Sequence, residues 1–315
     1  MSEPTAPEQP ASVRRTTTHD CTRPDGIDGA VHIAARGRDA RTGDAPEFVD
    51  VARARLDVVV DRGGSIARIS AEPSGELAPL VGRHAMSGFR RAADAAIAGH
   101  DTAHGLLAQL IDDLPTAFML SGRVLRTNGI ALGPSGAGRP IDICAGWVDG
   151  GTLVTGYGDL GPPLRRGPDA IAVEQDDDPL PAHATRRRRR IDVWLDDERD
   201  DECEQHAQVE AFFRDTHAGA DGVETVVHQY AVQAAVDLAN LTIVTCTATP
   251  GPLPYPECPG AAASADRLRG EPVEGLRRSA RATLVGPTTC THLTDALGCL
   301  EGVGPLLRSI PGGSR

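Results

Sequence analysis

The chain has 315 residues, a hydrophobic fraction of 40% and a formal net charge of −12 at pH 7. The acidic charge and an aromatic fraction of only 3% disfavour nucleic-acid binding, which needs basic surface and stacking side chains. No apolar stretch reaches the ~18 residues of a membrane span, and residues 1–10 lack a signal-peptide core. Together with seven cysteines, this predicts a cytoplasmic protein whose thiols are structural, metal-binding or reactive.

The first predicted unit of the chain follows a polar, Pro-rich N-terminus. Residues 1–12 are predicted to be disordered and residues 306–315 to form a flexible tail. Residues 13–120 are predicted to form an α+β unit. Within it, residues 55–69 indicate two strands around a Gly-Gly turn, and apolar residues at helical spacing after Gly88 predict two helices.

The connection over residues 121–185 is rich in Gly and Pro and is predicted to form a crossover. Its ordered part is expected at residues 141–157, with a strand at Gly151–Tyr157. The run Arg186–Arg190 that follows stands shortly before the acidic stretch 196–204. This arrangement favours charges that neutralise one another in solvent.

The second predicted unit, residues 186–305, repeats the first. Residues 88–110 and 275–297 are identical at nine of 23 positions without a gap. Asp39 and Asp215, each preceded by an arginine, stand before strand-like runs at the same spacing. The sequence therefore predicts an α+β fold: a tandem duplication of an antiparallel-sheet-plus-helices unit, with the two copies packed in pseudo-symmetry.

The second copy differs from the first by three residues that are able to bind a metal. The loop before its first helix is longer and contains Cys258 between two prolines, and Cys290 replaces Ala103. His292 follows Cys290 at the expected start of the second helix. Thiolate and imidazole are ligands for zinc and for iron–sulfur centres, so these three residues are the predicted metal site.

The predicted site leaves its fourth ligand open. With Thr291 as the helix N-cap, Cys290 would precede the helix, where the dipole favours a thiolate. A tetrahedral zinc site needs a fourth donor, and an iron–sulfur centre needs a further thiolate or imidazole. The candidates for the fourth position are water, His228, Cys246 and Asp295.

Two other hypotheses remain open for the same residues. Cys290 could be the nucleophile of a thiol-dependent enzyme, activated by His292 or by the helix dipole. Alternatively, the Cys/His set is core packing in a structural module that binds a protein partner or forms a homo-oligomer. Outside the second copy, Cys144 beside Trp147 is interpreted mainly as core, and the His100/His104 pair as surface histidines.

Most of the chain carries motifs of one family. The segments RRRRRIDVW, DTH, HQYAV, PYPECPGAA, LRG and CTHLTDAL, together with CAGW and DDPL, resemble the bacterial domain-of-unknown-function family 2889. Members of this family carry a Pro-rich loop ending in Cys and a closing C-T-H-L helix, and the family has no established activity. The resemblance therefore supplies a family and no mechanism.

A more distant similarity is to iron–sulfur cluster scaffold (NifU-like) proteins. The segment ECPGAAASADRLRG followed by CTHL is similar to their order of a Cys, a small-residue helix, an L-x-G step and a last ligand at a helix start. The first Cys and the Asp ligand of those scaffolds have no counterpart here. This similarity implies a related fold and carries little weight for function.

Overall fold

The protein is described from a computed structural model, which defines residues 12–42, 48–75, 77–97, 105–128, 141–155, 178–195 and 205–310. Its eight strands are β1 (Ser12–Thr22), β2 (Val31–Thr42), β3 (Phe48–Val60), β4 (Ile66–Glu72), β5 (Thr185–Leu195), β6 (His206–Ala218), β7 (Glu224–Asp237) and β8 (Ile243–Pro250). Its α-helices are α1 (Phe89–Ile97), α2 (Leu106–Thr127), α3 (Thr152–Thr155), α4 (Leu276–Thr283), α5 (Thr291–Gly298) and α6 (Val303–Leu307). Short 3-10 helices lie at Ala78–Leu80, Ala145–Trp147, Cys258–Leu268 and Cys299–Gly302.

All eight strands form one antiparallel sheet in the order β4-β3-β2-β1-β5-β6-β7-β8. Each half of the chain contributes four consecutive strands, and the first strands of the two halves pair at the centre, with Thr16 opposite Arg190. This architecture confirms the α+β class with an antiparallel sheet. Both predicted hairpins are also present, as β3–β4 and β7–β8.

Helices cover one face of the sheet and form an apolar core over each half. Strand β2 alternates buried and more exposed residues, as expected for a strand with one covered face. In the first half, its buried residues Val31 and Ile33 pack in one cluster with Phe89 of α1 and Leu110 of α2. The second half has its own cluster, which includes residues of β6–β8 and of α4–α6.

The prediction that Arg186–Arg190 lies in solvent was wrong, because this run forms five of the 11 residues of the central strand β5. Arg186, Arg187 and Arg189 are buried, and each pairs with an aspartate on another element. A buried guanidinium must be paired in this way, because an unpaired charge in a low-dielectric interior is strongly unfavourable. The acidic stretch 196–204 lies outside the described residues.

Several boundaries differ from the predicted ones. The predicted strand at Gly151–Tyr157 is instead the one-turn helix α3 as far as the segment is described. Cys290, and not Thr291, is the N-cap residue of α5. Helix α6 includes Leu306, which the sequence analysis assigned to the tail, and buried packing continues to Ile310. Within the described part of the chain, no helix is long and apolar enough to span a bilayer.

Candidate functional site

A cavity of about 400 Å³ opens between helix α2, the segment around Ala145–Trp147 and helices α4 and α5. Both halves of the chain contribute to its wall. The wall includes six cysteine, histidine or aspartate side chains. These residues are Cys144, His228, Cys258, Cys290, His292 and Asp295.

The three predicted site residues all line this cavity. Cys258 begins the 3-10 helix Cys258–Leu268, and its backbone N–H donates to the carbonyl oxygen of Tyr255 at 3.1 Å. Cys290 is the N-cap of α5, in an extended conformation. Because this residue is not yet helical, the cavity receives both Cys290 and His292 although they are only two positions apart. The metal-ligand assignment itself remains a prediction.

His228 on β7 is the centre of the polar end of the cavity. Its Nδ1 lies 3.2 Å from Oδ2 of Asp215 on the neighbouring strand β6. Arg187 on β5 donates to both oxygens of the same carboxylate, through Nε at 2.9 Å and Nη2 at 3.0 Å. An ionised carboxylate can only accept, so Nδ1 of His228 carries the proton and Nε2 carries a lone pair.

The imidazole rings of His228 and His292 stack with centroids 3.7 Å apart. Burial lowers the pKa of His292 well below its ordinary value, and the neighbouring His228 lowers it further. Burial also lowers the pKa of His228, against the opposing effect of its hydrogen bond to Asp215. Both rings are therefore neutral at pH 7, which is the protonation state that binds metals.

Asp215 stays ionised in this environment. Burial alone would raise its pKa, but the charge of Arg187 and the hydrogen bonds from His228 and Arg187 hold the pKa below its ordinary value. Within the described residues, one group of three potential ligand atoms lies within 4.8 Å of one another, those of Asp215, His228 and His292. The tightest set of donors thus contains one of the three predicted ligands, and neither thiol is part of it.

Burial keeps the thiols of Cys258 and Cys290 in their protonated form. Burial raises the pKa of Cys258 to about 12, and it also raises the pKa of Cys290, which is 4% exposed. The expectation that the helix dipole gives Cys290 thiolate character was wrong, because desolvation outweighs the backbone hydrogen bonds at the helix start. A buried, protonated thiol is a poor nucleophile on its own.

Two of the candidates for the fourth ligand, His228 and Asp295, line the cavity, whereas Cys246 is not among its lining residues. Cys144, which the sequence analysis interpreted mainly as core, is buried and also contributes to the wall. His100 and His104 lie outside the described residues, as does Cys203.

Sequence reasoning missed the part played by Asp215 and Arg187. In the sequence, the Arg-Asp dipeptides indicated only that the two halves are similar, and the arginine run was predicted to lie in solvent. One available signal was the buried-strand pattern of DTH and HQYAV around Asp215 and His228, since an ionised residue within a buried strand needs a partner.

Residues 185–304 match the model of a family described as protein of unknown function (DUF2889). The match runs from β5 to the first residues of α6 and so includes Asp215, His228, Cys258, Cys290 and His292. No curated protein and no solved structure matches the chain, and the similarity to iron–sulfur cluster scaffolds stays a prediction. The family match confirms, over residues 185–304, the resemblance to DUF2889 that the motifs had indicated.

Proposed function

We propose that this protein binds a transition-metal ion in the cavity of its second half, with His228 and His292 as the imidazole ligands and Cys258 and Cys290 as further donors. The observation that carries the proposal is the stacked pair of neutral imidazoles, 3.7 Å between centroids, on the wall of a cavity that also holds thiols. Within the described residues, no hydrogen bond involves a ring nitrogen of His292, so its ring is available to a ligand.

Asp215 acts in this proposal as the residue that orients His228. Both of its oxygens already accept hydrogen bonds from Arg187, which leaves them poorly placed to coordinate an ion directly. A histidine that binds a metal through one nitrogen commonly donates its other N–H to a carboxylate, which fixes the tautomer and the ring orientation. His228 and Asp215 have the geometry that this role requires.

The donor set favours zinc or an iron–sulfur centre. Two imidazoles and two thiolates would complete a tetrahedral zinc site. An iron–sulfur cluster would use thiolates with one or two imidazoles, and Cys144 would supply a third thiolate from the same wall. Metal binding would displace the thiol protons, so occupancy is expected to fall at acidic pH.

The cysteine chemistry also supports the predicted cytoplasmic location. The six cysteines within the described residues are all free thiols and all buried. A protein of a reducing compartment is expected to keep its thiols in this form.

We further infer that the two halves are copies of one duplicated unit, packed with pseudo-symmetry. Each half has four antiparallel strands followed by helices, and each has a bidentate Arg–Asp pair between its first two strands. Superposition of the two four-stranded units should place Asp39 on Asp215 and Ala52 on His228, and a different register would contradict the duplication.

The proposed metal site is tested by elemental analysis and absorption spectroscopy of anaerobically purified protein. His228→Gln, His292→Gln and Cys290→Ser each remove a proposed ligand and are expected to weaken metal affinity by more than the ~10–100-fold that loss of an outer-shell partner costs, so the purified variants should lose their zinc or iron. His217→Gln and Cys246→Ser are matched controls, because both residues are buried in the same sheet away from the cavity wall.

Three outcomes are informative. Metal lost only in the cavity variants supports the proposal, and the absorption spectrum distinguishes zinc from a cluster. Metal retained in both histidine variants would contradict the assignment of the imidazoles as ligands. A metal-free protein would contradict the proposal as a whole, and fast alkylation of Cys290 alone would then favour the thiol enzyme.

A further inference from the structure

The mouth of the cavity exposes large apolar side chains. Met86, Met119, Ile143 and Val285 line it and are 42%, 40%, 44% and 62% exposed. These are four of the seven large hydrophobic residues that are exposed in the described part of the chain, so exposure of this kind is concentrated at one place. Clustered apolar exposure is typical of a binding site, whereas single exposed apolar residues are ordinary.

The charged side chains on the cavity wall and directly behind it neutralise one another. Arg281 pairs with Asp112 and with Asp295, and Arg90 pairs with the same two aspartates. Asp295 also accepts a hydrogen bond from the hydroxyl of Thr116 at 2.6 Å. Two arginines and two aspartates thus leave no net charge, and a charged ligand would have to break a pair or remain unpaired in a partly desolvated site.

The residues of the deeper cavity wall pack tightly against one another. Gly146 packs so tightly that an added Cβ would lie 3.0 Å from Sγ of Cys258 and 3.1 Å from Cδ2 of Tyr255. Its neighbour Trp147 and Tyr255 both line the cavity and give it aromatic surface. The volume of about 400 Å³ falls within the range of small-molecule sites.

We infer that the cavity binds a small, uncharged and mostly apolar molecule that carries one oxygen function, such as an alcohol, aldehyde or ketone. Its apolar body would lie against the mouth residues and Trp147, and its oxygen would face His228 and His292. The direction of the oxygen rests on the proposed metal site, because the same two imidazoles offer a hydroxyl group both an acceptor, Nε2 of His228, and a donor, the ring N–H of His292. The preference for an uncharged apolar body rests on the wall alone.

The test uses three probes that share one ring and differ in charge: cyclohexylmethanol, cyclohexanecarboxylate and cyclohexylmethylammonium. The chain contains two tryptophans, so Trp194→Phe leaves Trp147 on the cavity wall as the only indole reporter. Cyclohexylmethanol should change its fluorescence saturably at millimolar concentration. The dissociation constants of the two charged probes should be at least about tenfold higher, since their charge finds no free partner.

The site is located by a matched pair of variants in this background. Val285→Asp at the mouth should weaken the binding of cyclohexylmethanol by about tenfold or more, because it adds a charge to the apolar rim. Val81→Asp, at a valine that is 51% exposed away from the cavity, should leave it unchanged. Met119→Gln is the milder second variant should Val285→Asp fail to fold, and circular dichroism reports the fold of each.

Equal or tighter binding of a charged probe, no saturable response to any probe, or equal effects of the two valine variants would each overturn the inference. Metal content is measured on the same samples, so the two proposals fail separately. Loss of metal in His292→Gln, without probe binding in the parent, would support the metal site and contradict the apolar ligand. Probe binding that depends on Val285 in a metal-free protein would support the apolar ligand site and contradict the metal site.

Discussion

The two halves of the sheet carry the same buried ion pair, but only the second half adds histidines to it. Arg15 donates to both oxygens of Asp39 at 2.7 Å, as Arg187 does to Asp215 at 2.9 and 3.0 Å. On the next strand, Asp39 faces Ala52, whereas Asp215 faces His228. The ion pair thus belongs to the fold of both halves, and the imidazole distinguishes the half with the candidate site.

The space above each ion pair is filled differently. Two residues before Asp39, Gly37 lets helix α2 approach so closely that an added Cβ would lie 2.7 Å from Leu106. Two residues before Asp215, the large ring of Phe213 lies 4.9 Å from the guanidinium of Arg187. Direct contact between helix and sheet closes the first half at this point. In the second half, the larger ring of Phe213 stands at this position, and a cavity is present on this side of the molecule.

The largest effect is expected from breaking either ion pair. Arg15→Met and Arg187→Met each leave a buried carboxylate without its partner and should lower the free energy of unfolding by about 3–5 kcal/mol. Urea unfolding monitored by circular dichroism measures both. If Arg187→Met alone proves destabilising, the two pairs are not equivalent elements of the fold.

A smaller effect is expected when the second half is made to resemble the first. His228→Ala removes a hydrogen bond to an ionised group and should lower the free energy of unfolding by about 1.5–3 kcal/mol. It should also lower the amount of bound metal. The reciprocal Ala52→His should not create a metal site, because Gly105, which aligns with His292, supplies no second imidazole. Metal retained by a stable Ala52→His/His228→Ala protein would contradict this comparison.

Each half also contains a buried histidine away from the cavity wall, His19 on β1 and His217 on β6. Burial lowers the pKa of His217 from 6.5 to about 4 and also lowers that of His19. Below pH 6.5 the unfolded chain takes up protons that the folded chain does not. Stability should therefore fall between pH 6.5 and 4, by up to about 1.4 kcal/mol per pH unit for His217.

Urea midpoints measured between pH 7 and pH 4 check the sign and the slope of this dependence. His217→Gln should flatten the profile, because a glutamine does not titrate. An unchanged slope in that variant would show that His217 is not the group responsible.

The smallest effect is expected at an exposed ion pair. Arg62 pairs with Asp28 in the first half, and the two side chains are 67% and 62% exposed. Solvent screens such a pair, so Arg62→Ala should change the free energy of unfolding by less than about 1 kcal/mol. A loss of stability as large as that of Arg15→Met would show that burial does not determine how strongly these ion pairs stabilise the fold.

The three predicted ligands were found from the sequence because they distinguish two otherwise similar segments. Cys258, Cys290 and His292 each have no counterpart in the similar segment of the first half, and all three line one cavity. The comparison could not single out His228, which was one of four candidates for the last ligand. Its importance depends on the register that sets β7 against β6, and residue spacing does not reveal that register.

The arginine run shows a different limit. Five consecutive arginines resemble solvated charge, yet alternation along β5 turns Arg187 and Arg189 toward the face that α2 covers. Their partners, Asp215 and Asp113, come from segments far away in the sequence. Burial of a charge depends on such partners, and local composition contains no information about them.

The sequence by itself determined the α+β fold class of this protein, because the alternation of apolar residues along strands and their spacing along helices reflect local geometry. It also determined that segments of the two halves are similar and that Cys258, Cys290 and His292 occur only in the second, since both are visible when the halves are compared. Only the tertiary structure decided that the two sets of four strands join through β1 and β5, that Arg187 and Asp215 support His228, and that His228 stacks on His292. These features depend on strand pairing and long-range packing, which set distances between side chains that the sequence leaves unspecified.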